Sequence, residues 1–476
     1  RCRRSMTPGR GSRGTVELES YRDRIVSGPL VPTLLRLGAP PMLSQMINLT
    51  YNILNSLWLS LFSESAIAVP RQVFPVQFFF MALLNALGTA GTSIVSQYVG
   101  AKMFKEVKRE FSRLFTAAVL LGSLSSAAFF ALRPLIFGYV VATPPEIYDY
   151  VMGYTAVTSL NMMISAATMT LTTGLTSVGE TKLPSLINFA GMAVNTALDP
   201  VFILGIGPVP RLGPIGSALT DTIGLLISLS LLMAVFNRRF SEIRPSFTRD
   251  YNAAWVKLVA RIGGPVALMS MLNSSAFMMQ LRLVNSFGVE VATAYSIGFI
   301  VLDIADAAMW GLSGSIAIIV GQLLGAGMLS KARSSAIKGS LFIASIVAVS
   351  SFVIYFAREP IVRVFTSNPV VIEESLRFLD TILLGLPFFA FFMCGFSAAR
   401  GAGRTLAATL INIGRLWGIR VGLSYVLAFT MALGPLGVWI GIMLSNIAGG
   451  LLMGAWLVHG KWARPVITEL NGNPSA

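Results

Sequence analysis

The sequence predicts an all-α membrane protein with twelve transmembrane helices, arranged as two six-helix lobes that are related by a parallel internal repeat. Three observations predict this fold: apolar runs of membrane-spanning length, a repeat at a displacement of about 225 residues, and basic residues concentrated in alternate loops. A soluble protein rarely combines these properties, so they place nearly the whole chain in a membrane.

The apolar runs set the number of helices. Of the 476 residues, 54% are apolar and 12% are charged, whereas a soluble protein carries about 25% charged residues. A run of about 20 apolar residues is long enough to cross a bilayer. The predicted spans are residues 34–62, 68–99, 114–141, 147–176, 183–206, 214–237, 256–287, 291–324, 336–357, 371–399, 405–430 and 434–458.

The repeat relates the first six spans to the last six. It consists of identities at nearly one displacement: Pro40 recurs as Pro265, and Gln97 recurs as Gln322. Further pairs are Arg36 and Arg261, Gly38 and Gly263, Asn48 and Asn273, Gly100 and Gly325, Asn188 and Asn412, and Gly213 and Gly434. Because six is even, both halves enter the membrane in the same orientation, which predicts a parallel repeat with a cleft between the lobes.

The basic residues indicate topology. The net charge is +15, and Lys and Arg concentrate in the loops after spans 2, 6, 8 and 10, whereas the opposite loops are short and poor in them. The positive-inside rule then predicts a multi-pass plasma-membrane protein with both termini cytoplasmic. We therefore expect the protein to lie in the lipid bilayer and to bind no nucleic acid. We also expect it to be a monomer.

Five segments follow from these patterns. We expect a basic, disordered tail over residues 1–26, a first lobe over 27–237, an inter-lobe loop over 238–255, a second lobe over 256–460 and a C-terminal tail over 461–476. The inter-lobe loop is polar and long enough to act as a hinge tether between the lobes.

Polar residues inside the first-lobe spans are the first candidate site. Ionisable groups within membrane spans are costly and usually functional. Asn55, Asp199 and Asp221 each lie about seven residues from the same end of their spans, so a rise of about 1.5 Å per residue places all three roughly 10 Å below the outer surface. Asn188 and Asn195 are uncharged companions. Two nearby buried carboxyls would titrate as a unit and could exchange a proton for a cation. Helix capping by Asp199 before Pro200 is the alternative.

The second lobe offers a weaker candidate. Asp303 and Asp306 are three residues apart and share a helix face, and Gln280 is the repeat partner of Asn55. The aspartates could form structural ion pairs with Arg282, Arg415 or Arg420, or they could form a second ion or substrate site.

Prolines inside the apolar runs predict helix bends. Pro40 and Pro265 occupy equivalent positions in spans 1 and 7, and each removes a helix hydrogen bond and favours a kink. The bend could be static or could change between transport states.

Several motifs also carry a family resemblance. They are Pro40 followed by Tyr51-Asn52-Ile53-Leu54-Asn55, Gln97-Tyr98-Val99-Gly100-Ala101, Leu198-Asp199-Pro200, Gly321-Gln322 with Gly325-Ala326-Gly327, and Arg400-Gly401-Ala402-Gly403. As an ordered set over residues 27–460, they resemble the multidrug and toxic compound extrusion (MATE) transporters, most of all the prokaryotic, DNA-damage-inducible branch, with archaea among the candidate sources.

The resemblance implies a V-shaped cleft, rocking-bundle alternating access and efflux of small amphipathic, mainly cationic compounds, driven by inward H⁺ or Na⁺ and without a cofactor. It also implies a first-lobe cation site with an Asp on the first helix, an Asn and an Asp on the fifth, and a Thr on the sixth. Asn188 and Asp199 match two of these positions. Asn55 stands at the Asp position and Asp221 at the Thr position, so the number of carboxyls is kept while their location changes. Na⁺, if it is the coupling ion, would then bind at Asp199, Asp221 and Asn55.

Three other functions compete with drug export. A lipid or polysaccharide-precursor flippase of the same superfamily would favour a basic cleft, to which Arg282, Arg415 and Arg420 could contribute. An intramembrane enzyme lacks support beyond the isolated Asp303-x-x-Asp306 pair, since the sequence contains no HExxH motif and no nucleophile elbow. A channel fits less well, because the acidic residues are concentrated in one half.

Overall fold

Helices make up most of the described part of the chain, residues 13–141 and 143–470 of a computed structural model, and these residues contain no strand. The helices are α1 (Arg13–Val26), α2 (Leu30–Phe62), α3 (Ala68–Gly100), α4 (Phe104–Leu135), α5 (Pro145–Val178), α6 (Lys182–Leu204), α7 (Pro214–Arg238), α8 (Ala253–Asn285), α9 (Val289–Gly325), α10 (Leu329–Phe365), α11 (Pro369–Ala402), α12 (Thr405–Ile413), α13 (Pro435–His459) and α14 (Ile467–Leu470). Two π-helical segments, Gly414–Leu423 and Val426–Thr430, prolong α12.

Twelve of these helical stretches correspond to the predicted spans, which confirms the all-α fold with two six-helix lobes. Within the described residues, eight helices are long and apolar enough to cross a membrane by length and composition alone. The first lobe consists of α2–α7 and the second of α8–α13. They meet where α2 packs on α9 and where α3 packs on α8 and α9.

The lobes touch most closely where α3 and α9 end. Gly100 lies against the backbone of Gln322, and its repeat partner Gly325 lies against the backbone of Gln97, so closely that a Cβ on either glycine would collide with the facing carbonyl. We call these four residues the glycine seal.

Hydrogen bonds across the lobes reinforce the glycine seal. The Gln97 side-chain amide donates to the carbonyl of Gly401 at 3.1 Å, and the Gln322 amide donates to the carbonyl of Ser177 at 2.9 Å. Both glutamines are fully buried. The two bonds are related by the repeat, because each glutamine reaches the last turn of a helix in the opposite lobe.

The predicted disordered tail was wrong for residues 13–26, which form α1; residues 1–12 lie outside the described part of the chain. α1 is ordered because it buries Leu18, Ile25 and Val26. It also spans both lobes: Arg22 Nε donates to the carbonyl of Gly100 at 3.1 Å, and Lys331 Nζ donates to the carbonyl of Val26 at 2.6 Å.

The C-terminal tail also docks on the opposite lobe. The backbone N–H of Val466 donates to Gln97 Oε1 at 2.7 Å, and Trp462 is buried. Residues 471–476 lie outside the described part. α1 and the segment around Val466 therefore both contact the glycine seal, and we call this side of the molecule the terminal side.

The inter-lobe loop is fastened to α4. Asp250 pairs with Arg109 at 2.7 Å and with Arg113 at 2.9 Å, and the backbone N–H groups of Ser246 and Thr248 donate to hydroxyls of α4. The hydrogen bond from Arg109 lowers the pKa of the Asp250 carboxyl below its ordinary value. The predicted tether is thus a docked part of the first lobe.

The predicted bend prolines lie inside continuous helices. Pro40 is within α2 and Pro265 is within α8. Whether their angle changes during transport stays a prediction.

Candidate functional site

Three helices of the first lobe bring the acidic residues together. Asp199 projects from α6 and is 0% exposed. Its Oδ1 accepts a hydrogen bond of 2.5 Å from the Thr220 hydroxyl of α7. Its Oδ2 is buried without a hydrogen-bond partner among the described residues. One oxygen of this carboxyl is therefore hydrogen-bonded, and the other has no donor among the described residues.

Asp221 follows Thr220 on α7 and contacts the other two helices. Its Oδ1 accepts hydrogen bonds from Tyr51 Oη of α2 at 2.8 Å and from Asn195 Nδ2 of α6 at 2.5 Å. Asn195 Nδ2 also lies 3.1 Å from Tyr51 Oη. These bonds join α2, α6 and α7 through one carboxyl.

Asn55 completes the group from one turn further along α2. Its Oδ1 accepts a hydrogen bond of 2.9 Å from the Ser217 hydroxyl. Ser217 precedes Asp221 by four residues, so both lie on one face of α7. Asn55 thus contacts the same helix face as Asp221, and the structure gives no bond from Asn55 to either carboxyl among the described contacts.

Charge couples the two carboxyls. Asp199 and Asp221 lie close enough to repel each other, and both act on Tyr51 and Tyr154. In a low-dielectric interior, two such groups bind protons or a cation as one unit. Two carboxyls placed in this way are candidates for taking up a proton or a cation, as the sequence predicts, and that role stays a prediction.

Two buried oxygens mark where such a charge would bind. Asp199 Oδ2 and Asn195 Oδ1 both lack a hydrogen-bond partner among the described residues. Asp199 follows Asn195 by four residues, so the two side chains share a face of α6. Unpaired buried acceptors are costly, and a proton or a small cation would satisfy them.

The structure does not bring Asn188 into this group. Asn188 precedes Asp199 by 11 residues, or about 16 Å along the helix. Its side chain is exposed and contacts Met192 Sδ at 3.8 Å. It lines a separate cavity of about 430 Å³, together with Asn48 and Trp310.

Sequence reasoning missed three hydroxyl residues of the group, Tyr51, Ser217 and Thr220. Spacing could have identified the first two, because Tyr51 lies four residues before Asn55 and Ser217 four residues before Asp221. Thr220 adjoins Asp221, and only the packing of α7 on α6 turns it towards Asp199. The resemblance implies a Thr on the sixth helix of the site at the position of Asp221, and the adjoining Thr220 is the threonine that contacts Asp199 here.

The candidate residues of the second lobe differ in their surroundings. Gln280 is 0% exposed, and neither atom of its amide has a hydrogen-bond partner among the described residues. Asp306 acts electrostatically on both Arg415 and Arg420. Arg282 is exposed. Asp303 lies in α9, and its side chain is outside the described part of the structure.

Comparisons with known proteins agree with this architecture. The MatE family model matches residues 40–201 and 265–426, one match in each lobe. A FAD transporter of Shewanella oneidensis is 26% identical over 448 residues, covering 91% of this chain and 94% of that protein. A "Probable multidrug resistance protein NorM" of Thermotoga maritima is 25% identical, covering 92% and 94%. The crystal structure of a variant of the Vibrio cholerae MATE transporter VcmN superposes with a TM-score of 0.83 at 20% identity, covering 93% of this chain and 99% of that one.

Proposed function

Because the chain belongs to the MATE family of multi-pass membrane transporters, we propose that it is a secondary active antiporter. It exports small amphipathic, mainly cationic compounds in exchange for H⁺ or Na⁺ and needs no cofactor. The family is one of transporters, so the protein is not an enzyme. We place it in the plasma membrane as a monomer with its terminal side in the cytoplasm, in line with the loop charges.

One observation carries this proposal. The unpaired oxygens of Asp199 and Asn195 share a buried face of α6, beside a second carboxyl, that of Asp221. Unpaired acceptor oxygens in a group with two carboxyls favour the binding of a proton or a cation. All of these residues lie on helices of the first lobe. A site in one lobe can respond to ion binding by changing how that lobe packs against the other.

The transport cycle follows from competition for this negative charge. With the glycine seal closed, the cleft opens on the side opposite the chain ends. Asp199 and Asp221 then take up H⁺ or Na⁺, which weakens their attraction for a cationic substrate. Because Tyr51 of α2 is hydrogen-bonded to Asp221, the change reaches α2, where Pro40 allows a bend. The substrate leaves, the lobes rock, and the ion is released on the terminal side.

Ion gradients supply enough free energy for such export. Moving one charge through 100 mV provides about 2.3 kcal/mol, and one pH unit adds about 1.36 kcal/mol. Together these support a substrate gradient of a few hundredfold.

A second candidate is a flippase for lipid or polysaccharide precursors of the same superfamily. The buried arginines Arg415 and Arg420 favour it, because a basic site suits phosphorylated head groups. A FAD transporter among the relatives points to anionic cargo in that protein. The acidic first-lobe site favours ion-coupled export instead.

The deciding experiment neutralises Asp199. We expect Asp199→Asn to abolish ethidium export from proteoliposomes under separately imposed H⁺ and Na⁺ gradients, because the amide cannot take up a proton or balance a cation. Asp149→Asn, which changes an exposed carboxyl of the same lobe, is the matched control and should export normally.

Normal ion-driven export by folded Asp199→Asn would remove this residue from the mechanism. Ion-independent movement of a fluorescent phospholipid by the wild type, without ethidium export, would favour the flippase.

A further inference from the structure

The π-helical segment after α12 brings two arginines onto one side of the second lobe. Arg415 and Arg420 are five residues apart within Gly414–Leu423. In an α-helix with 3.6 residues per turn, such residues point about 140° apart. In a π-helix the backbone bond joins residues i and i+5, so they lie about one turn apart on the same face. The irregular helix therefore gathers the two guanidinium groups.

Arg415 is held by amides and aromatic rings. Its Nε donates to Asn412 Oδ1 at 3.1 Å, and its Nη1 donates to Asn446 Oδ1 at 3.3 Å. The guanidinium lies 4.3 Å from the ring centre of Phe392 and 5.2 Å from that of Phe389. The side chain is 5% exposed. These contacts fix its position without neutralising its charge.

The hydrogen-bond donors of Arg420 are less completely paired than those of Arg415. It is 6% exposed, and its guanidinium lies 5.3 Å from the ring centre of Phe277. Its Nε has no hydrogen-bond partner among the described residues, and neither does the amide of Gln280, three residues after Phe277. Buried donors without partners are costly, so this part of the lobe is built for a further acceptor.

The charges around these arginines also call for an anion. Arg415 and Arg420 lie close enough to repel each other, and Asp306 attracts both. Among the described side chains, one carboxyl acts on two guanidinium groups, which leaves an excess of positive charge within this described set. Burying uncompensated charge in a membrane protein is expensive and is usually tied to a ligand.

We infer that Arg415, Arg420 and Gln280 form a binding subsite for the carboxylate or phosphate group of an amphiphilic solute. Arginine donates two parallel hydrogen bonds to such planar or tetrahedral anions. Phe277, which is exposed and lies beside Arg420, supplies apolar surface for the body of the same molecule. The inference rests on the proposed transport function and deepens it, because it adds zwitterionic and anionic amphiphiles to the substrates.

The π-helical segment leaves backbone uncovered next to Arg415. Gly414 and Gly418 are exposed, and a Cβ added to either would meet no other atom within 4 Å. The arginine side chains themselves are buried.

The test measures binding of an anionic and a cationic dye to the full-length protein in nanodiscs of phosphatidylcholine. We expect Arg420→Gln and Arg415→Gln each to weaken binding of carboxyfluorescein by about tenfold or more, measured by fluorescence polarisation. Binding of ethidium should change by less than about twofold, because the acidic first-lobe site is untouched. Arg363→Gln, an exposed arginine of α10 paired with Glu359, is the matched control and should bind both dyes like the wild type.

Two further arms keep the test decisive. Arg420→Lys retains the charge and should bind carboxyfluorescein with intermediate affinity, which covers the case in which Arg420→Gln does not fold. Competition by inorganic phosphate supports a free solute as the source of the anion. Phosphatidylglycerol can also be added to the nanodiscs. If it lowers the carboxyfluorescein affinity of the wild type and not that of Arg420→Gln, the result supports a lipid head group as the source of the anion.

Equal carboxyfluorescein affinity in the wild type, Arg415→Gln and Arg420→Lys would overturn the inference. That result would leave the proposed function intact if ethidium export still depends on Asp199. Conversely, dye binding that depends on Arg420 while ion-driven export is absent would overturn the antiport proposal and keep the subsite.

Discussion

The two lobes bury groups of opposite charge, and α6 of the first lobe corresponds by the repeat to α12 and its continuation in the second. In the first lobe, α6 and α7 contribute Asp199 and Asp221, which are hydrogen-bonded to hydroxyl and amide groups. In the second lobe, the π-helical continuation of α12 contributes Arg415 and Arg420, which contact amides and aromatic rings. The difference teaches that the repeat supplies a place for polar groups inside each lobe, whereas the side chains set the sign of the charge at that place.

The lobes remain alike where they meet. Gln97 and Gln322 make related hydrogen bonds across the glycine seal, and Gly100 and Gly325 allow the same close approach. A seal between two lobes needs matching surfaces, so both halves keep the same small residue. A binding site has no such requirement and can differ between them.

The largest expected effect comes from disturbing this common part. A Cβ at Gly325 or Gly100 would collide with the facing carbonyl. Overpacking of this kind costs about 1–3 kcal/mol and would favour the state in which the lobes separate at the glycine seal. We therefore expect Gly325→Ala and Gly100→Ala each to slow ethidium export by roughly tenfold. Hydrogen exchange of residues 94–101 and 319–326 should increase in both variants.

Gly264→Ala is the matched control, since its added Cβ meets nothing within 4 Å. A marked difference between Gly100→Ala and Gly325→Ala would show that the lobes do not contribute equally to the seal.

A comparable effect should separate two asparagines of the first lobe. Asn195→Ala removes a hydrogen bond to the Asp221 carboxyl, and a bond to a charged group contributes about 1.5–3 kcal/mol, or roughly tenfold or more in the half-saturating ion concentration for export. Asn188→Ala should leave that concentration unchanged within about twofold, because Asn188 faces a separate cavity. A larger change in Asn188→Ala than in Asn195→Ala would mean that the ion binds elsewhere on α6.

The smallest effect concerns the loop between the lobes. The pKa of Asp250 is lowered by Arg109 and Arg113, so its stabilising contribution is present at neutral pH and is lost only as the pH falls through that lowered value. Docking of residues 244–252 should therefore be constant between pH 6 and 8, and Asp250→Asn should raise hydrogen exchange there with little change in export. A pH-dependent loop between pH 6 and 8 would contradict this assignment.

The sequence could predict several of these features because they depend on local spacing. Apolar length and the repeat indicated the spans, and equal distances from the helix ends indicated that Asn55, Asp199 and Asp221 share a depth. The contacts of Asp221 with Tyr51 and Asn195 could not be predicted in this way, because depth gives no rotation of one helix about its axis. Asn188 was included as an uncharged companion of the acidic residues and again through the family resemblance, although it lies about three turns from Asp199.

Residues 13–26 show the opposite error. Leu18, Tyr21 and Ile25 are spaced as one face of a helix, but the basic composition around them suggested a tail. Only the surface made jointly by both lobes gives this face something to bury against.

By itself, the sequence determined the number of membrane helices and their duplication, because hydrophobicity and the repeat are properties of the chain in order. The common depth of the polar groups stays a prediction. Tertiary structure alone decided which groups meet: the packing of α2 and α7 on α6 assembled the acidic site, the π-helical turn after α12 turned two arginines to one side, and the lobe contact closed around two glycines. These outcomes depend on helix rotation and on close packing between distant segments, which no local pattern encodes.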